Sequence, residues 1–152
     1  MKTAVLFGST RGSVRRLVTT LPAFFTFSYD VFDVSAVQDT DILQPYDLLI
    51  FITPTYGDRE PQEDMEAFTQ RLNTPLAGKY FAILVLGTYE GYDFFFPDGG
   101  RILREELKQR GLNEAIGLGC ADAMPGYNEN IVTRWCQDVD QWWHQHKETS
   151  YD

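Results

Sequence analysis

Apolar and polar positions divide the chain into short continuous runs and longer amphipathic stretches, and the two kinds alternate. Ala4-Val5-Leu6-Phe7 is continuously apolar and predicts a buried strand. From Ser13 to Leu21 the residues Val14, Leu17, Val18 and Leu21 share one helical face, and Pro22 ends that helix. Phe27 to Val34 alternates, with Phe27, Tyr29, Val31 or Phe32, and Val34 apolar, which predicts a strand near a sheet edge. Asp39 to Leu43 is at most one helical turn before Pro45. Asp47-Leu48-Leu49-Ile50-Phe51-Ile52-Thr53 is the strongest central-strand signal, followed by a loop over 54–61 and a helix from Gln62 to Leu72 that buries Met65, Phe68 and Leu72. Tyr80 to Leu86 is a second continuous central strand, and a long aromatic loop runs from Gly87 to Gly100. Ile102 to Arg110 is helical, with Gly111 as its stop. Ala115 to Cys120 is a weak last strand, and Asn128 to His146 an amphipathic helix with Ile131, Trp135, Val139 and Trp142 inward.

Strands and helices in single file, without repeats or linkers, call for an α/β domain: a doubly wound, five-stranded parallel sheet with helices on both faces. Residues 1–147 form one domain, with 148–152 as a short tail. In such sheets ligands collect beyond the carboxyl ends of the strands. The loops around residues 9–13, 54–61 and 87–97 should therefore meet.

Composition narrows the functional classes. The chain has 152 residues, and its apolar and charged fractions of 43% and 23% are those of a soluble globular protein. Its net charge of −9 opposes nucleic acid and anionic membranes and favours partners with basic docking faces. The two cysteines, Cys120 and Cys136, lack metal-ligand spacing and read as small buried side chains. Neither a signal peptide nor a membrane-length apolar run is visible, so a soluble cytoplasmic protein is expected. A monomer is the default expectation, with no residue pattern behind it. His144, His146 and the tail from Lys147 are expected in solvent.

The loops hold the candidate chemistry. In Phe7-Gly8-Ser9-Thr10-Arg11-Gly12-Ser13-Val14, a buried strand passes through glycines and hydroxyls into a helix start. Unpaired backbone N–H groups and the positive end of the helix dipole suit a phosphate there. Alone, such a loop is more often an ordinary strand-to-helix turn. It has no Lys after the last glycine, so nucleoside triphosphate chemistry is not indicated. Tyr56 and Tyr92 each lie past a central strand beside a glycine, Gly57 and Gly91. Singly, each tyrosine reads as packing over a strand end. Together, two rings on converging loops can sandwich a flat heteroaromatic ligand. Phe94, Phe95 and Phe96 read mainly as core and rim packing. A phosphate cradle with two stacking rings describes a flavin mononucleotide (FMN) pocket better than a sugar or metal site, and no metal site is expected.

With these residues in view, the sequence resembles a flavodoxin over nearly its whole length. Thr53-Pro54-Thr55-Tyr56-Gly57-Asp58, followed by the acidic Gln62-Glu63-Asp64, resembles the family's first flavin loop, and the inner stacking role falls on Tyr56. Gly87-Thr88-Tyr89-Glu90-Gly91-Tyr92 resembles the second flavin loop and gives Tyr92 the outer role, with Phe95 nearby. The short segment after Cys120 is similar to the short-chain members. In the phosphate loop Ser9 and Gly12 match the family pattern, whereas Arg11 and Val14 replace two threonines. Arg11 either pairs with the phosphate directly or points into solvent. Glu90 is the nearest match to the acidic residue that faces the flavin pyrimidine edge.

The resemblance implies a low-potential one-electron carrier with non-covalent FMN, shuttling electrons between a reductase donor and an acceptor, and not an enzyme. It implies that the Gly57-Asp58 peptide turns its carbonyl to the protonated flavin N5. Asp58, Glu60, Glu63, Asp64 and Glu90 would then disfavour the second reduction by like-charge repulsion. Two other readings stay open: an FMN-free protein-binding module of the same fold, and a small FMN-dependent reductase. A receiver domain would want an acidic cluster where Gly8-Ser9 stands, and a low-molecular-weight phosphatase a cysteine in that first loop.

Overall fold

A computed structural model describes residues 1–8, 13–55, 63–87, 98–122 and 129–148. Its strands are β1 (Thr3–Phe7), β2 (Asp30–Asp33), β3 (Leu48–Thr55), β4 (Tyr80–Gly87), β5 (Asn113–Glu114) and β6 (Gly119–Asp122). The helices are α1 (Ser13–Thr20), α2 (Glu63–Arg71), α3 (Asp98–Gln109) and α4 (Glu129–His146). All pairings are parallel, in the order β2-β1-β3-β4, with β5 and β6 both hydrogen-bonded to β4. The doubly wound α/β architecture expected from the alternating pattern is therefore present.

Side chains alternate across the central strands and divide the core in two. One face gathers Ala4, Leu6, Leu49, Phe51, Phe81 and Ile83 under α2 and α3. The other gathers Val5, Ile50, Ile52, Ala82 and Leu84 under α1 and α4. Because both faces are covered, strand residues 48–52 and 81–86 are buried without a break, which is why they read as continuous apolar runs.

Four details depart from the pattern-based expectations. The alternating stretch from Phe27 forms a strand only over Asp30–Asp33, though at the sheet edge as expected. Phe27 instead stacks between Phe25 and Trp143, with ring centroids 4.8 and 4.9 Å away, so ring packing rather than strand pairing sets its position. The last strand expected over Ala115–Cys120 is instead two segments, Asn113–Glu114 and Gly119–Asp122, and residues 115–118 connect them. Glu114 pairs with Phe81 and Gly119 with Leu84, so five residue steps oppose three and the extra residues loop out. Ile131 is 41% exposed, and the inward positions on α4 belong to Trp135, Cys136, Val139 and Trp142. Finally, His146 is half-buried rather than solvated, stacked on Trp142 at 4.4 Å with its Nδ1 2.8 Å from Trp142 O. His144 and Lys147 are exposed as expected, with His144 Nε2 2.6 Å from Thr26 Oγ1.

Helix ends follow local chemistry. Pro22 sits inside the 3-10 turn Leu21–Ala23 that follows α1. The 3-10 turn Thr40–Leu43 is capped by Asp39, whose carboxylate accepts from the Asp41 N–H at 2.9 Å. α3 stops before Gly111, which takes φ +90° as a C′ residue.

Candidate functional site

The chain enters the sheet at β1, moves outward to β2, then returns past β1 to β3. This reversal leaves adjacent loops diverging to opposite faces at the carboxyl edge, between β1 and β3. The register gives that edge a step. Phe7, the last residue of β1, pairs with Ile52, whereas β3 and β4 run on together to Thr55 and Gly87. Three further residues on β3 correspond to about 10 Å of overhang above the end of β1.

Local chemistry stabilises the step. Gly8 N–H donates to Ile52 O at 3.2 Å, so the carbonyl of Ile52 faces β1. Two residues on, Pro54 faces the same side at a level where β1 has already ended. Its missing N–H therefore costs no ladder hydrogen bond, which explains a proline within a central strand. On the far side of β4, Gly87 pairs with Asp122, the last residue of β6.

The two helices that flank this reversal, α1 and α2, differ in charge. The first turn of α1 has no acidic residue. The first turn of α2 has Glu63, Asp64 and Glu66. Unpaired N–H groups and the helix dipole make the start of α1 attractive to an anion, whereas three carboxylates compete for the start of α2. A phosphate group fits α1 and not α2.

Arg15, which was not singled out in the sequence, lies in the same first turn of α1. Its guanidinium pairs with Asp33 Oδ2 at 2.7 Å and sits 5.1 Å from the Phe7 ring centroid. Burial opposes ionisation of Asp33. The hydroxyl and N–H of Ser35 and the Arg15 guanidinium outweigh it and hold the carboxyl below its usual range. Arg15 thus fastens α1 to the ends of β1 and β2. Only an i-to-contact view across eighteen residues would have revealed it.

Of the candidate site residues, Ser13 opens α1, Pro54 and Thr55 end β3, and Gly87 ends β4. Val14 is 1% exposed, and its side chain belongs to the core beneath α1. Only its main chain is available to a ligand. Ser9, Thr10, Arg11, Gly12, Tyr56, Gly57, Asp58, Thr88, Tyr89, Glu90, Tyr92 and Phe95 lie outside the described residues. Among the described residues, no group of three or more His, Cys, Asp and Glu is placed to hold a metal ion. No described helix is long and apolar enough to cross a membrane.

A close approach sets the position of α3. A Cβ on Gly100 would lie 2.3 Å from Val85 Cγ2, so glycine is what allows the start of α3 to press onto β4. The Gly99-Gly100 pair was the available signal in the sequence.

Comparison with known proteins agrees with this architecture. The family described as Flavodoxin matches residues 5–135. A flavodoxin of a Picosynechococcus species is 32% identical over 113 residues, covering 72% of this chain and 66% of that protein. Flavodoxin 2 of Escherichia coli is 36% identical over 72 residues, 47% of this chain and 42% of that protein. The matched stretch thus spans between about two fifths and two thirds of these relatives. Among solved structures, oxidised flavodoxin 1 from Bacillus cereus superposes with a TM-score of 0.79 at 21% identity, covering 96% of this chain and 99% of that one. Fusobacterium nucleatum flavodoxin bound to flavin mononucleotide gives 0.71 at 19% identity, covering 98% and 99%. With a family match over most of its length and the same doubly wound sheet, the chain belongs to the flavodoxin family.

Proposed function

We propose that the protein is a low-potential one-electron carrier that holds FMN non-covalently and passes electrons between partner proteins with basic docking faces. The observation that supports this most directly is the acid-free start of α1 at the β1–β3 reversal. Flavodoxins are themselves a type case of ligand binding at such a switch point. FMN would supply the redox chemistry.

The chain's own residues bind and orient it. Backbone N–H groups and hydroxyls of Ser9, Thr10, Gly12 and Ser13, with the Arg11 guanidinium, hold the phosphate. Tyr56 and Tyr92, on the loops leaving β3 and β4, stack on opposite faces of the ring system and exclude water. Thr55, Gly87, Thr88, Tyr89 and Phe95 would contribute to holding it, and Glu90 would face its pyrimidine edge. The Gly57-Asp58 peptide would offer its carbonyl to the bound flavin, a role that glycine's backbone freedom suits. Asp58, Glu60, Glu63, Asp64 and Glu90 oppose accumulation of negative charge and so lower the second potential. The same acids attract basic partners. The carrier works as a monomer in the cytoplasm.

The test is a visible spectrum of the purified protein, then titration of its apo form with FMN and with riboflavin. Flavin bands, quenched flavin fluorescence and preference for FMN over riboflavin are expected. A colourless protein that leaves FMN fluorescence unchanged would overturn the reading. Ser13→Asp sharpens the test. An acid in the first turn should leave α1 intact or slightly stabilised, yet weaken FMN by about tenfold or more while sparing riboflavin.

A further inference from the structure

Helices α2 and α3 lie side by side on one face of the sheet, and a groove of about 370 Å³ runs between them. Met65, Thr69 and Leu103 are buried in its floor, and Glu66, Gln70, Ile102 and Glu106 form its rims. The floor has no unmet polar demand, because the Thr69 hydroxyl already donates to Met65 O at 2.8 Å. Ile102 is 53% exposed, the most exposed large apolar side chain among the described residues. Unlike the exposed Ile131, it is continuous with an apolar floor, Met65 and Leu103, that a partner's side chain can cover.

The charges around the groove say what partner. Arg71 of α2 is turned away and donates to Val34 O and Val37 O at 3.2 and 2.8 Å. Arg104 and Lys108 of α3 reach the opposite flank and meet Glu114 at 3.4 and 3.8 Å. Arg110 closes the amino-edge end of the groove, bonded to Glu106 at 3.0 Å and to Leu72 O at 2.7 Å. Arg71, Arg104 and Lys108 are thus drawn off to other contacts, and Arg110 neutralises Glu106 at the closed end. Toward the carboxyl edge the groove opens beside Glu63, Asp64 and Glu66, and Glu66 forms no ion pair among the described residues.

We propose that this α2–α3 groove is a docking site for a protein partner that inserts one aliphatic side chain beside Ile102 and sets an adjacent lysine or arginine against Glu66. The volume suits one or two side chains rather than a cofactor. The site is lateral to the cofactor edge, yet both helices start directly after the loops leaving β3 and β4. A partner seated here would hold its redox centre close to that edge. Naming it a redox partner rests on the electron-carrier reading; the groove and its charge pattern do not.

The experiment uses isotope-labelled full-length protein and two short synthetic peptides of equal positive charge, one alternating lysine with leucine and one lysine with serine. Amide shifts are followed with the protein as purified and again after FMN addition. FMN uptake is scored separately, so failure of the flavin reading is distinguishable from failure of the groove. The lysine–leucine peptide should shift residues 65–70 and 102–106, and the lysine–serine peptide should bind at least several-fold more weakly. Ile102→Glu is the decisive variant, since it adds negative charge while removing the apolar contact. Weakening by about tenfold or more supports insertion beside Ile102. Unchanged or tighter binding would mean charge attraction alone and would overturn the proposal, as would a footprint elsewhere. Glu66→Gln should weaken binding a few-fold and flatten its salt dependence, and no effect on either would remove Glu66 from the site.

Discussion

The two faces of the sheet are covered in different ways. Beneath α2 and α3 the core is mostly aliphatic, and the helices are fastened at their ends by arginines that donate to backbone carbonyls. Beneath α1 and α4 the strand residues are aliphatic too, but the layer over them is rich in rings, with Trp135 and Trp142 buried and Trp143 half-buried along one eighteen-residue helix. Large rings from a long helix close their face, and the Trp143 indole N–H, donating to Thr3 Oγ1 at 3.1 Å, anchors it. Two shorter helices leave a groove on the other. The difference separates a face built to stay shut from one that leaves surface for a partner.

The sharpest way to break the closed face is Trp135→Ala, which removes its largest fully seated ring and should cost about 3–5 kcal/mol in urea unfolding. Trp135→Phe should cost clearly less. Trp135 Nε1 is a buried donor without an acceptor among the described residues, so phenylalanine loses area but also removes an unmet N–H.

Next in size are the glycines that admit each helix. A Cβ on Gly119 would meet the Trp135 ring at 2.5 Å, and one on Gly100 would meet Val85 Cγ2 at 2.3 Å. Both neighbours are stiff, so Gly119→Ala and Gly100→Ala should each destabilise by about 1–3 kcal/mol. Combining Gly119→Ala with Trp135→Leu should recover part of the loss, whereas Gly100→Ala with Trp135→Leu should be additive. Additivity in both would show that Trp135 is not what Gly119 accommodates.

The smallest effect is on alkaline stability. Burial pushes the Cys136 thiol from 9.0 to about 12, and burial with the bond to Asp30 pushes Tyr46 from 10.0 to about 12. Both folded values are raised, so the neutral forms are favoured in the folded state. Their contribution is complete below about pH 9 and is lost as pH rises toward about 12. Cys136→Ala should delay the onset of this loss on the aromatic face, and Tyr46→Phe should flatten its upper part on the other. Urea midpoints across this pH range read both, and parallel curves for both variants and the parent would contradict the assignment.

The sequence by itself determined the order of elements and the buried strands, because a strand covered on both faces needs an unbroken apolar run and Leu48–Ile52 and Phe81–Leu86 supply one. It also marked Gly111 as a helix stop and Phe7–Ser13 as a strand-to-helix loop at the sheet's carboxyl edge, since these depend on local backbone freedom. Tertiary structure alone decided what depends on contacts far apart in the chain. Phe27 left the strand for Trp143, and Ile131 yielded its inward place to Cys136. The step between β1 and β3, and the turning of Arg71, Arg104 and Lys108 away from the α2–α3 groove, are of the same kind. Periodicity says which side of a helix is apolar, but only packing decides which neighbour each residue meets.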